Sequence, residues 1–298
     1  MENAGPPLTL LVNPSSARGR ALKLLPRVEA ALDAQRAPFR VQHTKGLEHG
    51  IEHALRAIEL GELPVVLSGD GLIGAIGGAM AGSDVPLGIV PCGRGNDLAR
   101  VLDIPSDPEA AVEVLLAGHS RRIDVGEVNG KRFLGIASVG FDSEANRRAN
   151  ETRLLKGNLV YAYAALASLV RWKPARFTIR VDDERLRLTG YTVAAANSGM
   201  YGGGMRLAPD ARLDDGEFDV VSVGAVGKLR FVGNLPKVFK GTHVAKDEVR
   251  VFRASHLELT ASRPFDVYAD GERLTELPAT LRVLPGALDV LVPAPADA

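Results

Sequence analysis

Pro64-Val65-Val66-Leu67-Ser68-Gly69-Asp70-Gly71 is the stretch on which the reading of this chain turns. A short apolar run stops abruptly at a serine, two glycines and an aspartate. Continuous apolar character suits a parallel strand covered on both faces, and a glycine-flanked stop suits its end. The pattern recurs on either side. Leu8 to Val12 runs into Asn13-Pro14, Leu87 to Val90 runs into Pro91, and Phe39 to Val41 is another short strand. Between them, Arg20 to Gln35 carries Leu24, Val28, Ala31 and Leu32 at helical spacing, and Gly50 to Leu60 reads as a second helix. Strands alternating with helices predict βαβ units and a mainly parallel sheet, whose ligands sit beyond the C-terminal strand ends.

After about residue 122 the pattern changes. Asp124 to Val128, then Asn129-Gly130, then Lys131 to Ala137 predict a hairpin, because Asn-Gly favours the primed turn. Further strands are expected at Phe177 to Val181, Tyr191 to Ala196, Phe218 to Val223, His256 to Thr260 and Pro264 to Tyr268, with a turn at Asp182-Asp183. Helices are expected at Gly157 to Trp172 and Lys228 to Phe239. The expectation is an α/β N-terminal domain over 1–122 and a largely antiparallel β domain over 123–290, α+β as a whole, with the C-terminal tail packing back on the first domain.

Composition sets limits. The chain has 298 residues, 46% hydrophobic and 24% charged, with 36 basic and 36 acidic side chains. A zero net charge argues against a dedicated nucleic-acid binder. One cysteine, Cys92, excludes an internal disulfide framework and a multi-cysteine zinc site, and the six histidines show no ligand spacing. No leader is read at the N-terminus, and the run Leu159 to Val170 is too short to span a bilayer, so a soluble cytoplasmic protein is expected.

Three strand-to-helix loops carry chemistry. Ser68-Gly69-Asp70-Gly71-Leu72-Ile73-Gly74 brings backbone amides within reach of a phosphate, and its carboxylate suits Mg²⁺ or a hydroxyl proton. Asn13-Pro14-Ser15-Ser16-Ala17 precedes a helix whose first amides can face an anion. Pro91-Cys92-Gly93-Arg94-Gly95-Asn96-Asp97 is another glycine-rich turn. Singly each reads equally well as a tight turn or a helix cap. Three at one sheet edge are much stronger evidence of a phosphate site than any one alone.

These loops, in this order, resemble the diacylglycerol kinase catalytic domain family, which includes bacterial lipid kinases, sphingosine kinases and ceramide kinases. The family pattern of Asn-Pro-x-Ser-Gly, Gly-Gly-Asp-Gly-Thr and Pro-x-Gly-Thr-x-Asn-Asp is matched at Asn13 to Ala17, Ser68 to Leu72 and Pro91 to Asp97. Gly140-Phe141-Asp142, Tyr201-Gly202-Gly203-Gly204, Ala208-Pro209-Asp210-Ala211, Asp214-Asp215-Gly216 and Asp270-Gly271-Glu272 follow in family order. The resemblance implies ATP in a cleft between two domains, held by Asn13, Pro14, Ser15, Ser16, Ala17, Thr44, Ser68 to Gly74, Arg94 and Asn96. It implies a structural Mg²⁺ on the Asp215 carboxylate and the carbonyls of Arg212 and Glu217, oxygen ligands that suit a hard cation. It makes Asp70, Asp270 and Glu272 the catalytic acids, with Asp70 or Glu272 accepting the proton of a lipid hydroxyl. The expected partners are a membrane lipid substrate and the inner face of a membrane, with a homodimer left open.

The chain departs from the family at Gly74 and Ala75, where Asn and Glu are usual, and at Arg94, where Thr is usual. Arg94 substitutes a cation for a hydroxyl as a phosphate contact. The departures keep open a catalytically degenerate nucleotide or lipid binder, and the Gly-Asp-Gly theme, which NAD kinases share, keeps open a kinase of a soluble polyol or NAD. Two amphipathic stretches also stand out. Tyr161 to Trp172 reads as a packed helix or a lipid-facing one. Ala225 to Arg253 holds seven Lys or Arg against two acids, a solvated face or one suited to anionic lipid.

Overall fold

Strands β1 (Leu8–Val12), β2 (Phe39–His43), β3 (Leu63–Ser68) and β4 (Gly88–Pro91) pair in parallel in the order β2-β1-β3-β4. They belong to a computed structural model that describes residues 5–141, 143–144, 172–181 and 183–295. Every residue of β1, β3 and β4 is buried, as their unbroken apolar sequences require. Helices α1 (Arg20–Ala34), α2 (Leu47–Glu59), α3 (Asp70–Met80), α4 (Asp97–Val101) and α5 (Pro108–Ala117) alternate with them. Leu8, Leu10 and Val12 share one core with Leu25, Val28 and Leu32 of α1 and Val112 and Leu115 of α5. Full burial of each such side chain stabilises by about 2 kcal/mol. Helix α5 shows its local causes plainly. The Asp107 side chain accepts from the Ala110 N–H at 3.3 Å, Pro108 opens the helix, and Gly118 closes it at φ +71°.

The glycine-rich segment corrects one expectation. Residues 70–74 are not loop: α3 starts at Asp70. Glycines lower its intrinsic helicity by about 1 kcal/mol each. Buried Leu72, Ile73, Ile76 and Met80 hold it against the sheet, and packing overrides propensity.

The second sheet is antiparallel. Its strands are β5 (Ser120–Val128), β6 (Lys131–Phe133), β7 (Ile136–Gly140), β8 (Ala175–Val181), β9 (Glu184–Ala196), β10 (Phe218–Gly224), β11 (Val249–Ala254), β12 (His256–Ala261), β13 (Asp266–Ala269), β14 (Glu272–Glu276) and β15 (Ala279–Leu291). The order is β14-β13-β7-β9-β8-β12-β15-β5-β6, with β10 joining β9 to β11. Long β9 pairs with β8 up to Gly190, then with β7 and β10. A side chain at Gly190 would strike the Val223 carbonyl, so the changeover needs glycine. Phe133, Phe177, Phe218, Leu257 and Leu281 fill the core.

The Asn129-Gly130 turn has φ +47° and +80°, the primed geometry expected. The strand after it is broken, however, between β6 and β7 at Leu134-Gly135, whose amides bond to Asp270 instead. Helix α6 (Lys228–Phe239) has the expected bounds. The expected helix at Gly157 to Trp172, except Trp172 itself, lies outside the described residues, as do Asp142 and Asp182.

The chain forms one unit up to Val125 and from Leu284 onward, and another over Gly126–Val283. Residues 284–290 therefore belong to the first unit rather than the second. Hydrogen bonding explains it: the Leu87 N–H donates to the Asp289 carbonyl at 2.8 Å, and the Gly286 N–H donates to the Asp124 side-chain carboxylate at 2.7 Å. Among the described residues no helix is long and apolar enough to cross a membrane.

Candidate active site

In the first unit β1 lies beside β3, and β3 beside β4, so three loops leave one sheet edge together. Gly69 and Gly93 touch there. A Cβ on Gly93 would fall 2.6 Å from the Gly69 Cα, and one on Gly69 would fall 3.8 Å from the Ser16 hydroxyl. Backbone can approach backbone this closely only without side chains. Cys92 Sγ reaches Ser16 Oγ at 3.8 Å, and burial pushes its thiol pKa up, so it is an inert packing group.

Asp70 locks the arrangement. Its two carboxylate oxygens accept the Asn96 N–H at 2.9 Å and the Asp97 N–H at 2.7 Å, tying the start of α3 to the start of α4. Asn96 adopts φ +51° to present its amide. With both oxygens engaged, Asp70 positions the loops. In the first loop Asn13 Oδ1 accepts from the Ser15 N–H at 3.0 Å and the Ser15 hydroxyl at 2.7 Å, an Asx turn. Pro14 lies inside that turn, and Ala17 follows it at φ +44°.

Not every expected residue offers its side chain. Leu72, Ile73 and Gly74 are buried within α3, so what Ser68 to Gly74 presents is the first-turn backbone of a helix. Arg94 is exposed. Thr44, just beyond β2, and Asn96 are buried, and Thr44 Oγ1 and Asn96 Oδ1 have no hydrogen-bond partner. An unsatisfied buried polar atom costs about 1–3 kcal/mol.

In the second unit Asp270 and Gly271 form the β13–β14 turn at φ +52° and +86°. The Asp270 carboxylate accepts the Leu134 and Gly135 amides at 2.8 and 2.9 Å. Like Asp70, it is a brace. Glu272 differs. Its surface is open to solvent, yet protein packed around the carboxyl raises its pKa above the usual carboxylate range. It is the expected acid best suited to accept a proton.

The Asp215 turn does not fit a structural divalent ion. Arg253 Nη1 sits 3.4 Å from Asp215 Oδ2 and 3.8 Å from Glu217 Oε2, and Arg253 Nε lies 3.9 Å from Asp219 Oδ1. Two unit charges 4 Å apart near a protein surface already repel by about 4 kcal/mol, and a dication doubles that. Arg212 turns its guanidinium to Asp214 at 3.3 Å. Burial pushes the Asp219 carboxyl pKa up, and Arg253 opposes the shift.

Beneath α6 lies a small cavity of about 60 Å³, walled by Met205, Leu207, Phe231, Leu235 and Val238. Sequence reading missed it, because its walls come from segments far apart in the chain. Buried His243 also borders it; its Nε2 pairs with the Leu207 carbonyl at 3.0 Å, and burial lowers its pKa.

Residues 7–128 match the diacylglycerol kinase catalytic domain, and residues 135–292 match the YegS C-terminal NAD kinase beta sandwich-like domain. A diacylglycerol kinase of Mycobacterium tuberculosis is 36% identical over 297 residues, covering 96% of this chain and 95% of the relative. A probable lipid kinase, YegS-like, of Pseudomonas aeruginosa is 33% identical over 76% of this chain and 75% of its own. A crystal structure from Bacillus anthracis superposes with TM-score 0.82 at 21% identity, covering 98% of this chain and 97% of the other. That likeness concerns the fold.

Proposed function

Since the chain belongs to the diacylglycerol kinase catalytic domain family, we propose that it is an ATP-dependent kinase of a lipid hydroxyl, with diacylglycerol the first acceptor to test. The carrying observation is the Asp70 clamp, which ties the Ser68 and Pro91 loops together at the sheet edge where the Asn13 loop also emerges. On this reading the donor is the magnesium complex of ATP, the ion being part of the substrate. Amides of the Ser68 to Leu72 segment and exposed Arg94 bind its phosphates. Thr44 and Asn96 direct their unpartnered polar atoms to the nucleotide. Glu272 takes the proton of the lipid hydroxyl, whose oxygen attacks the γ-phosphorus in line, and ADP leaves with the bond electrons. The raised Glu272 pKa strengthens it as a base, and turnover falls as pH drops through that value.

A lipid acceptor rather than a soluble polyol is favoured by the relatives, a diacylglycerol kinase and a probable lipid kinase, YegS-like. A lipid surface is the proposed partner of the outer face of α6. Leu229 is 91% exposed and Phe239 53% exposed there, beside Lys228, Lys237 and Lys240.

The test is transfer of labelled γ-phosphate from Mg-ATP to diacylglycerol, sphingosine, ceramide and phosphatidylglycerol in mixed micelles. Labelled diacylglycerol is expected, with Glu272→Gln binding ATP but labelling nothing. ATP binding with no labelled lipid overturns the reading and leaves a binding protein, or a kinase of a soluble acceptor.

A further inference from the structure

We propose that the guanidinium of Arg253 is the resident cation of the acidic turn before β10, so that this turn keeps its shape without a divalent metal. Strand register puts the residue there. In the β10–β11 pair Asp219 stands directly across from Arg253, and opposed charges at such positions attract. The side chain then runs along the edge of the turn, and its head lies within 3.4–3.9 Å of oxygens from Asp215, Glu217 and Asp219.

Two of these acids need a cation. The Asp215 and Asp219 side chains are 16% and 8% exposed. Ionised carboxylates so far from water persist only when paired. Asp215 Oδ1 accepts the Glu217 N–H at 3.3 Å, while buried Oδ2 accepts no hydrogen bond. The guanidinium beside Oδ2 supplies its compensation. A planar five-donor head that is always charged can serve several oxygens together. The same oxygens are the hard ligands that Mg²⁺ takes, so protein cation and metal ion compete for one place. The inference does not depend on which acceptor is phosphorylated.

The test uses the full-length chain without nucleotide or lipid, so its outcome is separate from that of the kinase assay. Thermal unfolding is followed in EDTA and in about 10 mM MgCl₂ for the wild type, Arg253→Lys and Arg253→Gln. The wild type and Arg253→Lys are expected to move by less than about 1 °C on adding Mg²⁺. Arg253→Gln is expected to melt several degrees lower in EDTA and to recover about 3 °C or more in Mg²⁺, the ion entering where the guanidinium was. A wild-type rise with Mg²⁺ as large as that of Arg253→Gln overturns the proposal. So does an Arg253→Gln melt in EDTA equal to the wild type's. Should Arg253→Gln fail to fold in EDTA, its refolding yield in Mg²⁺ replaces the melt: recovery supports the exchange of cations, and no recovery overturns it.

Discussion

Asp70→Asn separates a clamp from a proton acceptor. The wild-type carboxylate receives two backbone amides, from Asn96 at 2.9 Å and Asp97 at 2.7 Å. Asparagine keeps one acceptor oxygen and puts an NH₂ where the other stood, so one amide faces a donor. A hydrogen bond to a charged group contributes about 1.5–3 kcal/mol. Losing one and weakening the other costs about 2 kcal/mol, or ~4–8 °C of melting temperature. The loops it joins also loosen, so nucleotide affinity is expected to fall together with turnover. Thermal melts, equilibrium ATP binding and γ-phosphate transfer are measured on one preparation. The reasoning fails if melting temperature and ATP affinity stay at wild-type values while phosphate transfer alone disappears, because that is the signature of a lost base.

Four shorter tests follow from other contacts. Gly93→Ala drives a methyl to 2.6 Å from the Gly69 Cα, so a loss of about 1–3 kcal/mol is expected in chemical denaturation, with weaker ATP binding. Ala17→Gly removes a side chain from φ +44° and is expected to raise stability by about 0.5–1 kcal/mol in the same assay, net of the freedom it adds to the unfolded chain. For His243, burial depresses the folded pKa below the ordinary 6.5, so the unfolded chain binds a proton that the folded one refuses. Stability is therefore lost as pH falls from about 6.5 toward the folded pKa, by up to ~1.4 kcal/mol per unit, and denaturation at two pH values should show this slope absent in His243→Gln. Leu229→Asp removes the most exposed apolar side chain of α6 and is expected to weaken co-sedimentation with anionic vesicles while leaving the melting temperature unchanged.

The parallel sheet was legible because its signals are local. The apolar runs of β1, β3 and β4 end at polar or glycine residues that also begin the loops, so element and site were read from the same few positions. Helix α3 was harder, since its glycines argue for a loop and only the burial of Leu72, Ile73, Ile76 and Met80 argues back. Burial belongs to the tertiary structure. Strand β11 hid within a basic stretch for the same reason. Its residues Val249 to Ala254 show no clean alternation, and their pairing is set by β10, some thirty residues earlier in the chain.

The acids show what spacing alone withholds. Asp70 and Asp270 stand in equivalent-looking Asp-Gly pairs, and the resemblance groups both with Glu272 as catalytic. Their donors tell them apart. Asp70 receives amides 26 and 27 positions later in the chain, and Asp270 receives amides 136 and 135 positions earlier. Both oxygens of each carboxylate are taken up by these amides, so each serves as a brace. Glu272, two residues after Asp270, has the opposite environment: dehydration by nearby protein raises its proton affinity. The turn that fixes Asp270 against Leu134 and Gly135 also fixes the backbone from which Glu272 projects. One acid of the Asp-Gly-Glu motif therefore anchors, and the other, its pKa raised by burial, is the one proposed above as the base.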